Sequence, residues 1–141
     1  MRGISVKIEF LQTGSQDCPL IRLFGTDSSE FQALHDALAQ LASGAMITCE
    51  LTKVPGIGAI SDCRLVLDVS ARDEGVSQST PTDFRWGLTS ESWGLAAGLA
   101  EPFATTPRTD TFQWLAGGEA QYGLNVGNIA VLISCSVDGR W

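Results

Sequence analysis

The spacing of apolar residues changes along this chain from every second residue to every third or fourth, and that change most constrains its fold. Apolar and polar side chains alternate over residues 4–10, as in a strand with one solvated face. Between Asp27, which can cap a helix start, and Gly44, a natural stop, the spacing is helical. The helical apolar positions are Phe31, Leu34, Leu38 and Leu41. The pattern predicts a domain that combines strands with helices.

A second helix is predicted to begin at residues 89–91, where hydroxyl side chains precede an acidic residue. It should end near Glu101, because Pro102 follows. Its helical wheel is apolar around most of its circumference. A helix of this kind is buried on more than one side, so either the rest of the fold or a partner must cover it.

Further strands are predicted from period-two alternation and from turn residues at their ends. They span residues 20–24, 46–52, 62–70, 84–86, 111–115 and 128–136. A loop around Pro55 makes the second and third of these a hairpin, and matching their inward faces places Glu50 near Arg64. Residues 71–81 lack apolar periodicity and should form an exposed loop.

The expected architecture is a single two-layer α+β domain over residues 1–141. We expect a mostly antiparallel sheet of six or seven strands, with two helices packed on one face and the other face largely solvated. A turn at 117–118 and another at 138–139 should flank the last strand.

The charge balance bears on possible partners. The chain has 16 acidic against 9 basic side chains, for a net charge of -7, and lacks a stripe of Lys and Arg. That field repels phosphate backbones, so a nucleic-acid ligand is not expected, whereas a basic protein partner fits.

The distribution of charged residues also bears on location. Charges within residues 1–10 interrupt what would be the apolar core of a signal peptide, and the small apolar run 94–100 lies between acidic residues. That run is much shorter than the roughly 20 residues that span a bilayer. We therefore expect a soluble, cytoplasmic protein that does not enter a membrane.

The cysteines and the histidine give little support for a metal or cofactor site. The four cysteines are widely spaced and form no Cys-x-x-Cys pair. Cys49, Cys63 and Cys135 share the phase of the apolar residues around them, which predicts buried thiols. Because His35 is the only histidine, a two-histidine metal site within one chain is excluded. We predict no metal and no cofactor.

The tryptophans suggest a function through surfaces. All four lie at or after residue 86, and Trp86 and Trp114 share the strand phase of neighbouring phenylalanines, which favours core packing. Trp93 lies on the over-apolar helix and Trp141 is the last residue, so both are interface candidates. We predict a non-catalytic protein-interaction domain, either self-associating or a small acidic binding or inhibitor-type protein. The candidate interface residues are Trp93, Trp141, Leu95, Leu99 and Phe103.

The alternative is a small enzyme or small-ligand-binding domain whose site is assembled from dispersed polar residues. The sequence has no Gly-x-Ser-x-Gly elbow and no cysteine with an activating signature. A cleft with converging polar side chains would be needed to support this alternative. Its candidate residues are His35, Asp68, Arg72, Asp73, Glu74 and Arg85.

Overall fold

A computed structural model describes residues 6–12, 19–25, 28–60, 62–105, 111–116 and 129–135. These residues contain two α-helices, nine strands and one short 3-10 turn at Leu51–Lys53. The helices are α1 (Ser28–Ser43) and α2 (Ser90–Thr105). The strands are β1 (Val6–Leu11), β2 (Leu20–Gly25), β3 (Thr48–Glu50), β4 (Ile57–Ala59), β5 (Arg64–Val69), β6 (Gly75–Gln78), β7 (Asp83–Leu88), β8 (Thr111–Ala116) and β9 (Ala130–Cys135).

The described strands form two mixed sheets, so the α+β class is confirmed and the expected single sheet of six or seven strands is wrong. The five-stranded sheet has the order β4-β1-β2-β9-β8, and the four-stranded sheet has the order β3-β5-β7-β6. The parallel pairs are β1 with β4, β2 with β9, and β5 with β7, and the other pairs are antiparallel. The sheet divides because β4, between β3 and β5 in sequence, pairs with β1 instead.

The two helices pack against each other and share one hydrophobic core with both sheets. Ala42 of α1 lies beside Gly94 of α2, while the rings of Phe31 and Phe103 are 5.4 Å apart. The end of each helix therefore meets the start of the other, so the helices run antiparallel. Helix α1 contacts β1, β3, β4 and β5, and α2 contacts β7 and β8.

The faces of the sheets that point away from this core differ from each other. On the four-stranded sheet that face is polar and partly exposed, as expected. The corresponding face of the five-stranded sheet carries Leu20, Leu132 and Ser134, and all three side chains are buried. The expectation of a largely solvated second face is therefore wrong for this sheet, because its central strands are apolar on both faces.

Helix α1 ends where the sequence pattern predicts, whereas α2 agrees with it only at the start; Asp27, the predicted cap of α1, lies outside the described residues. Gly44 follows α1 in the left-handed conformation (φ +87°), which ends the helix as predicted. Helix α2 continues past Pro102 to Thr105 instead of ending at about Glu101. Pro102 has no amide hydrogen and cannot make the usual helical hydrogen bond. The burial of Phe103 and Ala104 stabilises the last turn in its place.

The predicted loop over residues 71–81 contains a strand. Residues 75–78 form β6, which pairs antiparallel with β7 at the edge of the four-stranded sheet. Val76 is buried opposite Trp86, and Ser77 and Gln78 are exposed. Its two buried residues, Gly75 and Val76, are consecutive and only Val76 has an apolar side chain, so the strand shows no alternation for the sequence pattern to detect.

Candidate functional site

Trp93, the first interface candidate, is fully buried inside this chain. Its indole ring lies 4.9 Å from that of Trp86 in an edge-to-face arrangement, and its Nε1 donates a 2.8 Å hydrogen bond to the carbonyl oxygen of Asp68. The chain itself thus covers the most apolar side of α2. Trp93 positions the helix and contributes no exposed area to an interface.

The other candidates on α2 divide between core and surface. Phe103 is buried, Leu99 is half-buried against the core, and Leu95 is 46% exposed. Trp141 lies outside the described residues, as do the turns predicted at 117–118 and 138–139. Of the candidates that the structure describes, Leu95 therefore offers the largest apolar contact to a partner.

The described charges are segregated between the helices and the rest of the fold. Neither helix contains a lysine or arginine, although each contains two acidic residues. The described basic side chains all belong to strands, to the 3-10 turn or to the loop before β6. They are Lys7, Arg22, Lys53, Arg64, Arg72 and Arg85.

We call the exposed residues of α2 from Glu91 to Pro102 the helical face. It comprises Glu91, Gly94, Leu95, Gly98, Glu101 and Pro102. Leu95 is its large apolar side chain, and it lies between Glu91 and Glu101 in sequence. Within the described chain, neither of these glutamates is bonded to a cationic side chain. The helical face therefore combines one large apolar side chain with two carboxylates that no described cation pairs.

Asp68 and Arg85, two residues of the alternative polar site, form an ion pair on the outer face of the four-stranded sheet. The second carboxylate oxygen of Asp68 accepts a 2.8 Å hydrogen bond from the hydroxyl of Thr48 on the neighbouring strand. Both groups are thus engaged in cross-strand contacts that stabilise the sheet.

Asp73 has a structural role at the start of α2. Its Oδ1 accepts hydrogen bonds from the backbone N–H of Thr89 (3.0 Å) and from the Thr89 hydroxyl (3.2 Å). Its Oδ2 accepts a 2.8 Å bond from the hydroxyl of Ser92. Thr89 in turn caps the helix by accepting from the Ser92 amide. These bonds fasten the loop before β6 to the first turn of α2.

Glu74 lies close to the backbone of Gly87 and to Ser70. A Cβ atom at Gly87 would lie 2.7 Å from the Ser70 hydroxyl and 3.0 Å from Oε1 of Glu74, so the glycine leaves room for both side chains. The Ser70 hydroxyl donates a 3.4 Å hydrogen bond to that same oxygen. Arg72, also in this loop, is exposed.

His35 lies on α1, apart from the other members of the alternative site. It is half-buried at the border of the apolar stripe, as predicted, with Nδ1 3.9 Å from Oδ1 of Asp36. This Nδ1 is buried and has no hydrogen-bond partner in the described chain. Among the six polar candidates the structure therefore pairs Asp68 with Arg85, places Asp73 and Glu74 in contacts with α2 and with Ser70, and leaves His35 on a different element from the other five.

The predicted proximity of Glu50 and Arg64 is confirmed. Arg64 donates a 3.1 Å hydrogen bond from Nη2 to Oε1 of Glu50, and its Nε lies 3.0 Å from Oε2 in the same ion pair. The hydrogen bond from Arg64 is the main reason that the pKa of Glu50 is lowered from its ordinary value. It also raises the pKa of Arg64.

We expect the Arg64→Ala substitution to raise the pKa of Glu50 towards its ordinary value, measured by a carboxyl carbon NMR titration. Folding lowers the pKa of Glu50, so the ion pair contributes its full stabilisation at pH values above the unfolded-state pKa of glutamate. That stabilisation is lost as the pH falls through the folded-state pKa. The Arg72→Ala substitution is the control, since Arg72 has no contact with Glu50. An unchanged pKa in the Arg64 variant would contradict the assigned contact.

The cysteines that the structure describes are buried, as predicted. The exposed fractions of Cys49, Cys63 and Cys135 are 7%, 3% and 1%. Burial raises the pKa of Cys49, and burial followed by the negative charge of Glu9 raises that of Cys63 to about 11. These two thiols are therefore protonated at neutral pH and are poor nucleophiles. Cys18 lies outside the described residues.

One cavity has a mixed apolar and polar lining, and the sequence pattern did not indicate it. Its volume is about 180 Å³, which is smaller than the roughly 300–1,000 Å³ of typical ligand pockets. None of the six polar candidates lines it. The lining residues are Glu9, Phe10, Ile60, Cys63, Pro81 and Thr82.

Neither of the described helices has the length and apolar character needed to cross a membrane. The described part of the chain contains no group of three or more His, Cys, Asp or Glu side chains that could hold a metal ion. The sequence matches no protein-family model and no curated protein, and the fold matches no solved structure.

Proposed function

We propose that this protein is a non-catalytic binding module that recognises a partner protein with a basic surface, through the helical face. The exposed Leu95, the large apolar side chain of this face, carries the proposal. An apolar centre with charged residues around it is the usual arrangement of a protein–protein interface. Leu95 would be covered by the partner, and Glu91 and Glu101 would lie at the rim.

Charge determines the kind of partner. Glu91 and Glu101 attract lysine and arginine side chains and repel carboxylates, and no basic residue of α1 or α2 opposes that attraction. In the four-stranded sheet, by contrast, Glu50 and Asp68 are already neutralised by arginines. Glu91 and Glu101 are paired with no described cation, so favourable electrostatic contacts remain to be made on the helical face.

The same charges argue against a symmetric homodimer through the helical face. A two-fold interface would bring the same acidic surface together with itself. Like charges placed opposite each other destabilise an interface unless cations lie between them. We therefore favour a different, basic protein over the self-association that the sequence also allowed.

An enzymatic function is less well supported. Asp68, Asp73 and Arg85 are bonded to neighbouring strands or to α2, and the Cys63 thiol is protonated. A general base must reach the proton that it abstracts, and a nucleophile needs an activating neighbour. No such arrangement is formed by these candidate residues.

The test is affinity capture from the source cells, followed by calorimetry with the purified partner and point variants. We expect Leu95→Arg to weaken binding at least about tenfold, because it adds a positive charge and removes the central apolar contact. Ile47→Arg is the matched control: Ile47 is 71% exposed but lies outside both helices. This control should bind within about twofold of the unmodified chain.

Salt dependence provides a second readout of the same complex. Association should slow as the salt concentration rises, since screening weakens attraction between exposed charges. A captured partner with an acidic surface would contradict the proposal. So would a partner whose affinity is unchanged by Leu95→Arg, or whose affinity falls equally with Ile47→Arg.

A further inference from the structure

Strand β8 lies at one edge of the five-stranded sheet, and in the described part of the chain it pairs with β9 alone. A strand in this position presents backbone N–H and C=O groups to which another strand can bond. Proteins usually protect such edges by keeping them short, or by placing charged residues, proline or a bulge on them. The four described edge strands, β3, β4, β6 and β8, differ in these features.

Strand β8 has the fewest of these protections. The other described edges are shorter, since β3 and β4 have three residues each and β6 has four. Strand β8 has six, and none of them is charged, glycine or proline. Its pairing with β9 becomes irregular only after Trp114, so the centre of the strand is regular. Gln113 donates from Nε2 to the carbonyl oxygen of Trp114 at 3.1 Å, a contact that adds no charge to the edge.

Two aromatic side chains of β8 lie on the outer face of the five-stranded sheet. Phe112 and Trp114 are paired with Ser134 and Leu132 of β9, whose side chains point away from the core. The two rings are 6.4 Å apart in an edge-to-face arrangement. Trp114 is half-buried, whereas Phe112 is 58% exposed and is the one aromatic residue among the large apolar side chains left exposed in the described chain. An exposed aromatic group on an unprotected edge indicates a surface for another strand.

We propose that a second copy of this chain adds its own β8 antiparallel to this edge and so forms a two-fold symmetric dimer. An antiparallel pair of identical strands is symmetric, so one edge supplies both sides of the interface. A two-fold axis at Gln113 places Phe112 of each copy directly opposite Trp114 of the other. Residues directly opposite in an antiparallel pair share a face, so the dimer gains two identical cross-strand aromatic pairs.

The absence of charge on β8 favours a second copy as the occupant. Near a two-fold axis each residue meets the same residues of the other copy, so charges there would repel each other. Strand β8 carries none. The argument against a homodimer through the helical face therefore does not apply to this edge. No residue of β8 belongs to the helical face, so the failure of either proposal leaves the other intact.

The first test is analytical ultracentrifugation of the unmodified chain over a range of concentrations. We expect a monomer–dimer equilibrium with a dissociation constant in the micromolar to millimolar range, because two short strand edges bury a small area. The dimer should tighten as the salt concentration rises, since each copy has a net charge of -7 and screening weakens their repulsion. A chain that stays monomeric at millimolar concentration would overturn the proposal, as would assemblies larger than a dimer.

Two variants locate the interface. Phe112→Glu replaces an exposed aromatic residue of β8 by a negative charge and should weaken the dimer at least about tenfold. Ile47→Glu is the matched control, because Ile47 is 71% exposed but lies away from β8, and it should change the dissociation constant by less than about twofold. Circular dichroism should show that both variants stay folded. Equal dissociation constants for the two variants would exclude β8 as the interface.

A disulfide cross-link tests the position of the two-fold axis. In the proposed dimer the Cα atoms of residue 113 in the two copies are roughly 4.5–5.5 Å apart, a distance that a disulfide bridges. In a Cys18→Ser background, Gln113→Cys should therefore form a covalent dimer with oxidised glutathione. Ser77→Cys, exposed on the β6 edge, should stay monomeric under the same conditions. Equal cross-linking of both variants, or none at residue 113, would contradict the proposed pairing.

Discussion

The Trp93→Ala substitution is expected to lower the free energy of unfolding by about 3–5 kcal/mol, measured by urea denaturation followed by circular dichroism. The side chain is fully buried against Trp86 and also bonds to the carbonyl of Asp68, so its removal leaves both a cavity and an unpaired acceptor. Domains of this kind are stable by only about 5–15 kcal/mol, so the loss should be a large fraction of the total stability.

Two further substitutions on α2 control this result. Trp93→Phe retains an aromatic ring but loses the indole hydrogen bond, and it should cost less than the alanine variant. Leu95→Ala removes an exposed side chain from the same helix and should change stability by less than about 1 kcal/mol. A Trp93→Ala protein with an unchanged urea midpoint would contradict the core position of this residue.

The position of Trp93 also decides how the helical face should be tested. On the sequence alone, Trp93→Ala would be a natural way to disrupt an interface. In the structure that change acts on the core, so a loss of partner binding would report partial unfolding. Leu95→Arg and Ile47→Arg change exposed side chains and therefore separate the two effects.

Local periodicity predicted the elements that have several buried residues in phase. Helix α1 and strands β1, β2, β5 and β9 belong to this group. Strand β8 was also predicted, although only Leu115 and Ala116 of it are buried. The Glu50–Arg64 contact was also predictable, because a strand with one buried face has a strongly specified register. Strands β4 and β6 each carry few buried side chains, so their pairing with β1 and β7 depends on the tertiary structure.

The tryptophans show the same limit for the candidate site. The helical wheel of α2 shows that either the rest of the fold or a partner must cover most of the helix. It does not show which of the two covers Trp93. Trp86 was correctly expected in the core, whereas Trp114 is only half-buried beside Phe112, which is 58% exposed. Phase alone does not show whether a face of a sheet is covered.

The contacts around Asp73 and Glu9 differ in how far sequence could have found them. Glu9 and Arg22 lie opposite each other in the β1–β2 pair, so the register argument used for Glu50 would have paired them. Asp73 bonds to Thr89 and Ser92, which follow it by 16 and 19 positions, with β6 and β7 between them. No periodicity links these positions, and their contact could be found only in the structure.

Replacing Asp73 by alanine is expected to lower the free energy of unfolding by about 2–3 kcal/mol. The change removes three hydrogen bonds to the carboxylate and leaves the Thr89 amide and two hydroxyls without that acceptor. Since these bonds join the β5–β6 loop to the start of α2, the loss should also speed amide hydrogen exchange in the first turn of α2. Urea denaturation and hydrogen exchange measure the two effects.

The neighbouring Glu74→Ala variant is the control for Asp73→Ala. Glu74 is exposed and accepts only a long 3.4 Å bond from Ser70, so its removal should change stability by less than about 0.5 kcal/mol. Asp73→Asn should fall between the two, because the amide oxygen can still accept from Thr89 while the amide nitrogen cannot accept from Ser92. Equal stability and exchange in the Asp73 and Glu74 alanine variants would show that Asp73 does not anchor α2. A selective loss at Asp73 would establish that this carboxylate holds the helix that carries the proposed binding face.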